Sequence, residues 1–127
     1  MDHEEAFVKA FIIPNRQERY LGFLSSSKRR AKFTTELAHF KALNPRYLLS
    51  IPTDQRNPTS ILKLLISMGA GPNCWIISEW KKLDAREMDL ETALRETIGM
   101  GMGTIISCIP GRLAYFEDEC VRYILKR

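Results

Sequence analysis

Ser25-Ser26-Ser27 is followed directly by Lys28, Arg29 and Arg30, with Lys32 two positions further on. Guanidinium and ammonium groups set so closely together suit the binding of phosphate or another anion. The periodicity predicts a helix beginning at about Ser27, which makes the placement unusual. Cations in a first helical turn oppose the helix dipole, at a cost of about 0.3 to 1 kcal/mol each when exposed. An anion at that helix start would be held by free backbone N–H groups and by Lys28, Arg29, Arg30 and Lys32 together. Three plainer arrangements also remove the anomaly: a helix continuous through the serines, Glu117-Asp118-Glu119 folding against the cluster, or solvation of the charges. These weigh more than the anion site. At 100° per residue Lys28 and Lys32 lie near His39, opposite the Phe33/Leu37 stripe, while Arg29 and Arg30 flank that stripe, so the basic residues wrap the helix.

A second constellation comes from topology. Ligands of open α/β sheets bind outside the carboxyl ends of the strands. The predicted strand ends carry Thr53 and Asp54, Ser78 and Glu79, and Gly111 and Arg112. If these strands run parallel, the residues converge beside the helix start at Asn57 to Ser60. Such a cleft would take a small anionic ligand, with Arg112 as donor and Glu79 as general base. The competing reading makes Asp54 and Arg112 turn residues and Glu79 a solvated one, and no nucleophile–base pair or metal triad opposes it.

Other residue patterns suggest less chemistry. Gly99-Met100-Gly101-Met102-Gly103 resembles a phosphate loop in composition, but such loops follow a strand and open a helix, and here the order is reversed. A hinge or helix cap fits better. Cys74, Cys108 and Cys120 are odd in number and lack C-x-x-C spacing, which points to reduced thiols. Cys74 and Cys108 lie in apolar runs as small core residues. His3 and His39 have no metal-spaced partners. Consecutive carboxylates in Glu117-Asp118-Glu119 alternate between the faces of a strand and chelate poorly. Trp80, next to Glu79 where the chain leaves a strand, would anchor a protein partner if exposed, and otherwise cap the core.

The elements that must position these residues follow from periodicity. Phe7, Val8, Phe11 and Ile12 mark a helix over residues 3 to 13, ended by Pro14. Tyr20, Leu21 and Leu24 mark a second helix, from Asn15 to about Ser25. Phe33, Leu37 and Phe40 mark a third, from about Ser27 to Leu43, stopped by Asn44-Pro45. Tyr47 to Ile51 reads as a buried strand, Asn57 and Pro58 open a helix reaching Gly69, and Cys74 to Ser78 is a second strand. Asp89 caps a helix through Ile98, with Gly99 just past its end. Thr104 to Ile109 and Arg112 to Glu117 form a hairpin at Pro110-Gly111. Pro-Gly suits a type II turn, which predicts a bulge or wider loop beside it.

The order implies an α/β (or α+β) fold. An N-terminal helical layer (1–44) precedes a β-α-β-α-β-β part (45–127), in a single domain with right-handed parallel crossovers and a small mixed sheet ending in the hairpin. At 127 residues, 45% hydrophobic and 27% charged, the chain supports a core without disulfide or metal staples. The acidic start is unlike a secretory signal, and the apolar runs are too short to span a bilayer, so the expectation is a soluble cytoplasmic protein with no membrane partner. The net charge is +4, and residues 1–57 carry ten Lys/Arg against six Asp/Glu while residues 58–127 carry nine of each. All the excess lies in the first half, an imbalance that permits an anionic partner.

No catalytic residue, metal or cofactor is assigned. The favoured reading is a non-enzymatic accessory or regulatory domain that binds nucleic acid or another anionic partner through its basic N-terminal helices. The rival is a small-molecule-binding domain or enzyme using Thr53, Asp54, Glu79 and Arg112. A protein-interaction domain using Trp80 is the third.

Overall fold

The structure, a computed structural model, describes residues 2–127. Helices α1 (His3–Phe11), α2 (Pro14–Leu24) and α3 (Arg30–Glu36) come first. Strand β1 (Leu48–Ser50), helix α4 (Pro58–Ser67), strands β2 (Asn73–Ser78) and β3 (Arg86–Asp89), helix α5 (Leu90–Thr97) and strands β4 (Thr104–Ile109), β5 (Leu113–Glu117) and β6 (Arg122–Lys126) follow. The six strands form one antiparallel sheet in the order β1-β6-β5-β4-β2-β3. Helices and strands are mixed around it in an α+β arrangement.

Local chemistry sets the helix limits. Asp2 accepts N–H bonds from Glu4 and Glu5 at the start of α1, Asn57 caps α4 through Ser60 N–H, and Asp89 caps α5 through Thr92 N–H. The third helix is shorter than its periodicity predicts. It tightens into a 3-10 turn over Leu37–His39, and Phe40 is already extended. That extended stretch closes the helical layer: Ile13 N–H donates to Ala42 O and Asn44 N–H to Phe11 O.

Because strand residues alternate, the sheet buries both faces. Ile77, Ile105, Ala114, Phe116 and Leu125 face α1, α2 and α3, whose Phe7, Phe11, Tyr20, Phe33 and Leu37 complete one core. Ile76, Ile106, Tyr115 and Ile124 face the other way, against Ile61 and Leu65 of α4 and Leu90 and Leu94 of α5. The N-terminal helices therefore cover one face of the sheet, and α4 and α5 the other.

The expected parallel crossovers are not. Two strands absent from the sequence reading, β3 and β6, reverse the chain and make every pairing antiparallel. β3 hairpins back on β2 before α5 begins, so β4 enters against β2 with Ser78 opposite Thr104. β6 inserts between β5 and β1. The hairpin forms as predicted: Arg112 N–H donates to Ile109 O at 3.0 Å, Gly111 has φ +70°, and the β4/β5 register shifts between Ser107 and Ile109.

Candidate functional site

The four clustered cations have separate surroundings. Arg30 points inward. Its Nη1 and Nη2 donate to Glu4 at 2.8 and 2.6 Å, and its Nε and Nη2 to Asp84 at 2.8 and 3.0 Å. Trp75 Nε1 donates to the same Glu4 at 2.9 Å, and Ser78 N–H to Asp84 at 2.9 Å. The Arg30 side chain keeps 18% of its exposure, and the hydrogen bonds it donates to Asp84 and Glu4 hold its pKa above the ordinary arginine value. This guanidinium ties α1, α3 and the β2–β3 loop together and commits four of its five N–H donors to these internal partners. The amides at the start of α3 are also engaged: Arg29 and Arg30 N–H donate to Ser26 O, and Lys32 N–H to Arg29 O. Lys28 stays in the turn before α3 and is exposed.

Arg29 and Lys32 meet a different group. Both lie over the Phe23 ring, at 5.3 and 5.8 Å, and Arg19 lies over it at 5.1 Å. Arg16, Arg19, Tyr20 and Phe23 fall at i, i+3, i+4 and i+7, so α2 presents them as one stripe. Lys32, Thr35, Glu36 and His39 repeat that spacing on the facing segment. Between the two stripes runs an open groove of about 1140 Å³, with Ile13, Ala31, Phe40 and Ala42 contributing apolar surface and Lys41 an additional cation.

The groove is electrostatically one-sided. Its carboxylate is Glu36, which accepts a 2.6 Å hydrogen bond from Tyr20 Oη and lies 3.4 Å from Arg19. Burial, together with Glu36, pushes the Tyr20 phenol up to about 12. Among the described residues, Arg16, Lys32 and Lys41 have no carboxylate within ion-pair distance. Of the cluster singled out in the sequence, Lys32 lines the groove and Arg29 stands beside it. Arg16, Arg19 and Lys41 were not singled out, although the spacing of Arg16, Arg19, Tyr20 and Phe23 is a sequence-visible signal.

The strand-end residues divide between opposite edges. β1, β2 and β5 point one way and β3, β4 and β6 the other, so Thr53, Asp54 and Glu79 lie at one end of the sheet. Arg112 lies at the other, beyond the carboxyl end of the reversed β4. Thr53 and Asp54 are exposed in a 3-10 turn. Glu79 is occupied, its Oε2 accepting from Gly103 N–H at 2.9 Å while its own N–H donates to Gly103 O. Near that edge a recess of about 360 Å³ holds Glu117, which accepts from Tyr115 Oη and Gly99 N–H and pairs with Arg122. Trp80 is half-buried against the α4/α5 core with Lys82 Nζ 5.1 Å from its ring.

The contact of nucleophile–base type among the described residues is His3 Nδ1 to Ser107 Oγ, 2.7 Å, which the sequence reading did not anticipate. Ser107 is 1% exposed under α1. Cys74 and Cys108 are buried, with thiols that burial pushes up to about 12, and Cys120 is exposed. No group of three metal-ligating side chains occurs among the described residues, and no helix there is long and apolar enough to cross a membrane.

Neither protein-family models, nor curated proteins, nor solved structures yield a match to this chain.

Proposed function

We propose that this protein is a non-enzymatic binding module whose anionic partner sits in the groove between α2 and the α3 segment. The observation that carries this reading is the set of cations at the groove, Arg16, Arg19, Lys32 and Lys41, against a single carboxylate already engaged by Tyr20 and Arg19. Like charges gathered on one concave surface repel one another and attract a polyanion. The original cluster contributes Lys32 and, at the rim, Arg29. Arg30 belongs to the internal network.

Retention on immobilised heparin, a polyanion without class preference, tests the reading. Arg16→Glu/Lys32→Glu should elute at clearly lower salt than wild type. Lys63→Glu/Lys126→Glu, exposed and outside the groove, makes the same change in net charge and should shift elution far less. Equal shifts from the two double variants would reject the groove as the site.

A further inference from the structure

We infer that the occupant of the groove is an acidic amphipathic α-helix from another protein. This inference rests on the anion-binding reading of the same groove and narrows it to one class of partner.

The walls are two helical stripes of about two turns each, and α2, at 11 residues, is about 16 Å long. A third helix laid between them meets side chains at i, i+3, i+4 and i+7, the spacing of helix-in-groove recognition. The cations stand on both walls, Arg16 and Arg19 on one and Lys32 on the other, so carboxylates along both edges of the incoming helix would find partners. The floor asks for something else. Ile13 and Phe40 are half-buried and Ala31 is exposed, and at Phe40 the groove adjoins a recess of about 340 Å³ lined by Leu43, Leu48 and Tyr123. Apolar side chains on the incoming helix would cover this surface, whereas phosphates would leave it wet.

The aromatic rings argue in the same direction. Single-stranded nucleic acid is held by open ring faces on which bases stack. Here Tyr20 is 2% and Phe23 6% exposed. Tyr20 packs edge-on against Phe33, and cations lie over Phe23. Tyr20 and Phe23 build the floor and hold the cations in place without offering a stacking platform.

The test uses a labelled peptide of about 15 residues, long enough to sustain a helix, with Leu at i, i+3, i+4 and i+7 and Glu along both flanks. Three further probes accompany it: a scrambled peptide of the same composition, a single-stranded oligonucleotide, and a peptide with Lys in place of Glu. Fluorescence anisotropy against the full chain should give binding to the amphipathic acidic peptide at least about tenfold tighter than to the scramble. Arg16→Glu/Lys32→Glu/Lys41→Glu should lose that peptide and gain the Lys peptide, with an unchanged circular dichroism spectrum.

Equal binding of scramble and amphipathic peptide overturns the helix inference and leaves the polyanion reading standing. Tighter binding of the oligonucleotide, abolished by the triple variant, does the same and makes nucleic acid the partner. Binding of no probe, or binding indifferent to the triple variant, overturns both.

Discussion

Arg30 and His3 show how differently two polar side chains can be placed by their surroundings. Arg30 bridges Glu4 and Asp84 where water is largely excluded, and each carboxylate takes one further N–H, from Trp75 and Ser78. Removing one member of such a network leaves uncompensated buried charge, at a cost of about 3 to 5 kcal/mol. Arg30→Ala should therefore lower the urea midpoint far more than Lys28→Ala, whose side chain is exposed in the preceding turn. Similar midpoints for the two variants would remove the network from the account of stability. His3, beside Ser107, has its pKa lowered from 6.5 mainly by burial, which outweighs the opposing pull of Asp2 and Glu87. A folded-state pKa below the unfolded value means that the unfolded chain binds the proton first. The stability linked to His3 is thus complete above pH 6.5 and is lost as pH falls from there towards the lowered folded value. Denaturation midpoints measured through this window should fall with pH in wild type and flatten in His3→Gln; matching slopes would show that His3 takes no part.

At the scale of elements, the Gly99–Gly103 connection is the segment whose composition is best explained by what it touches. Gly99 and Gly101 have φ of +89° and +72°, and Gly99 sits just past α5 as a left-handed cap. Gly103 has a different reason. A Cβ there would fall on the backbone of Leu37 and Ala38, far inside van der Waals contact. The loop is clamped on both sides, by Glu79 at Gly103 and Glu117 at Gly99, and so cannot step away. Gly103→Ala should destabilise by about 3 kcal/mol or more, because backbone must move to admit the methyl. Gly71→Ala, with open space at its Cβ, is the control and should change the denaturation midpoint little. If Gly103→Ala is as benign as the control, the close approach to Leu37 is not maintained in solution. The predicted hairpin was legible for a related reason: Pro110-Gly111 imposes its turn locally. The edge strand β3 was not, since Arg86-Glu87-Met88-Asp89 carries the charges that discourage an exposed edge from pairing with other chains and shows no apolar alternation.

Across the whole molecule, stability is expected to grade from the sheet centre outward. β4 and β5 have neighbours on both sides and helices on both faces, whereas β1 is a three-residue edge strand and β3 an exposed one. Hydrogen exchange should be slowest in β4 and β5 and fastest among the strands in β1 and β3. Uniform protection across all six would contradict this gradient. The same topology governs the candidate sites. Antiparallel pairing sends Glu79 and Arg112 to opposite edges, so a cleft shared by them has no place in this fold, while the packing of α2 beside α3 gathers Arg16, Arg19, Lys32 and Lys41 from the single stretch 16–41.

Periodicity, caps and turn residues were enough to locate the helices, the central strands, the hairpin at Pro110-Gly111 and the excess positive charge of the first half. Each rests on contacts within a few residues, and those contacts are written in adjacent positions of the sequence. Strand direction, the placement of β6 between β1 and β5, and the burial of Arg30 depended on partners far away in the chain. Arg30 could become internal only because Glu4 and Asp84 arrive from other elements, and Lys32 joins a groove because α2 lies alongside. Lys28 to Lys32 are near neighbours in sequence, but tertiary packing decided which of them remain available to a partner.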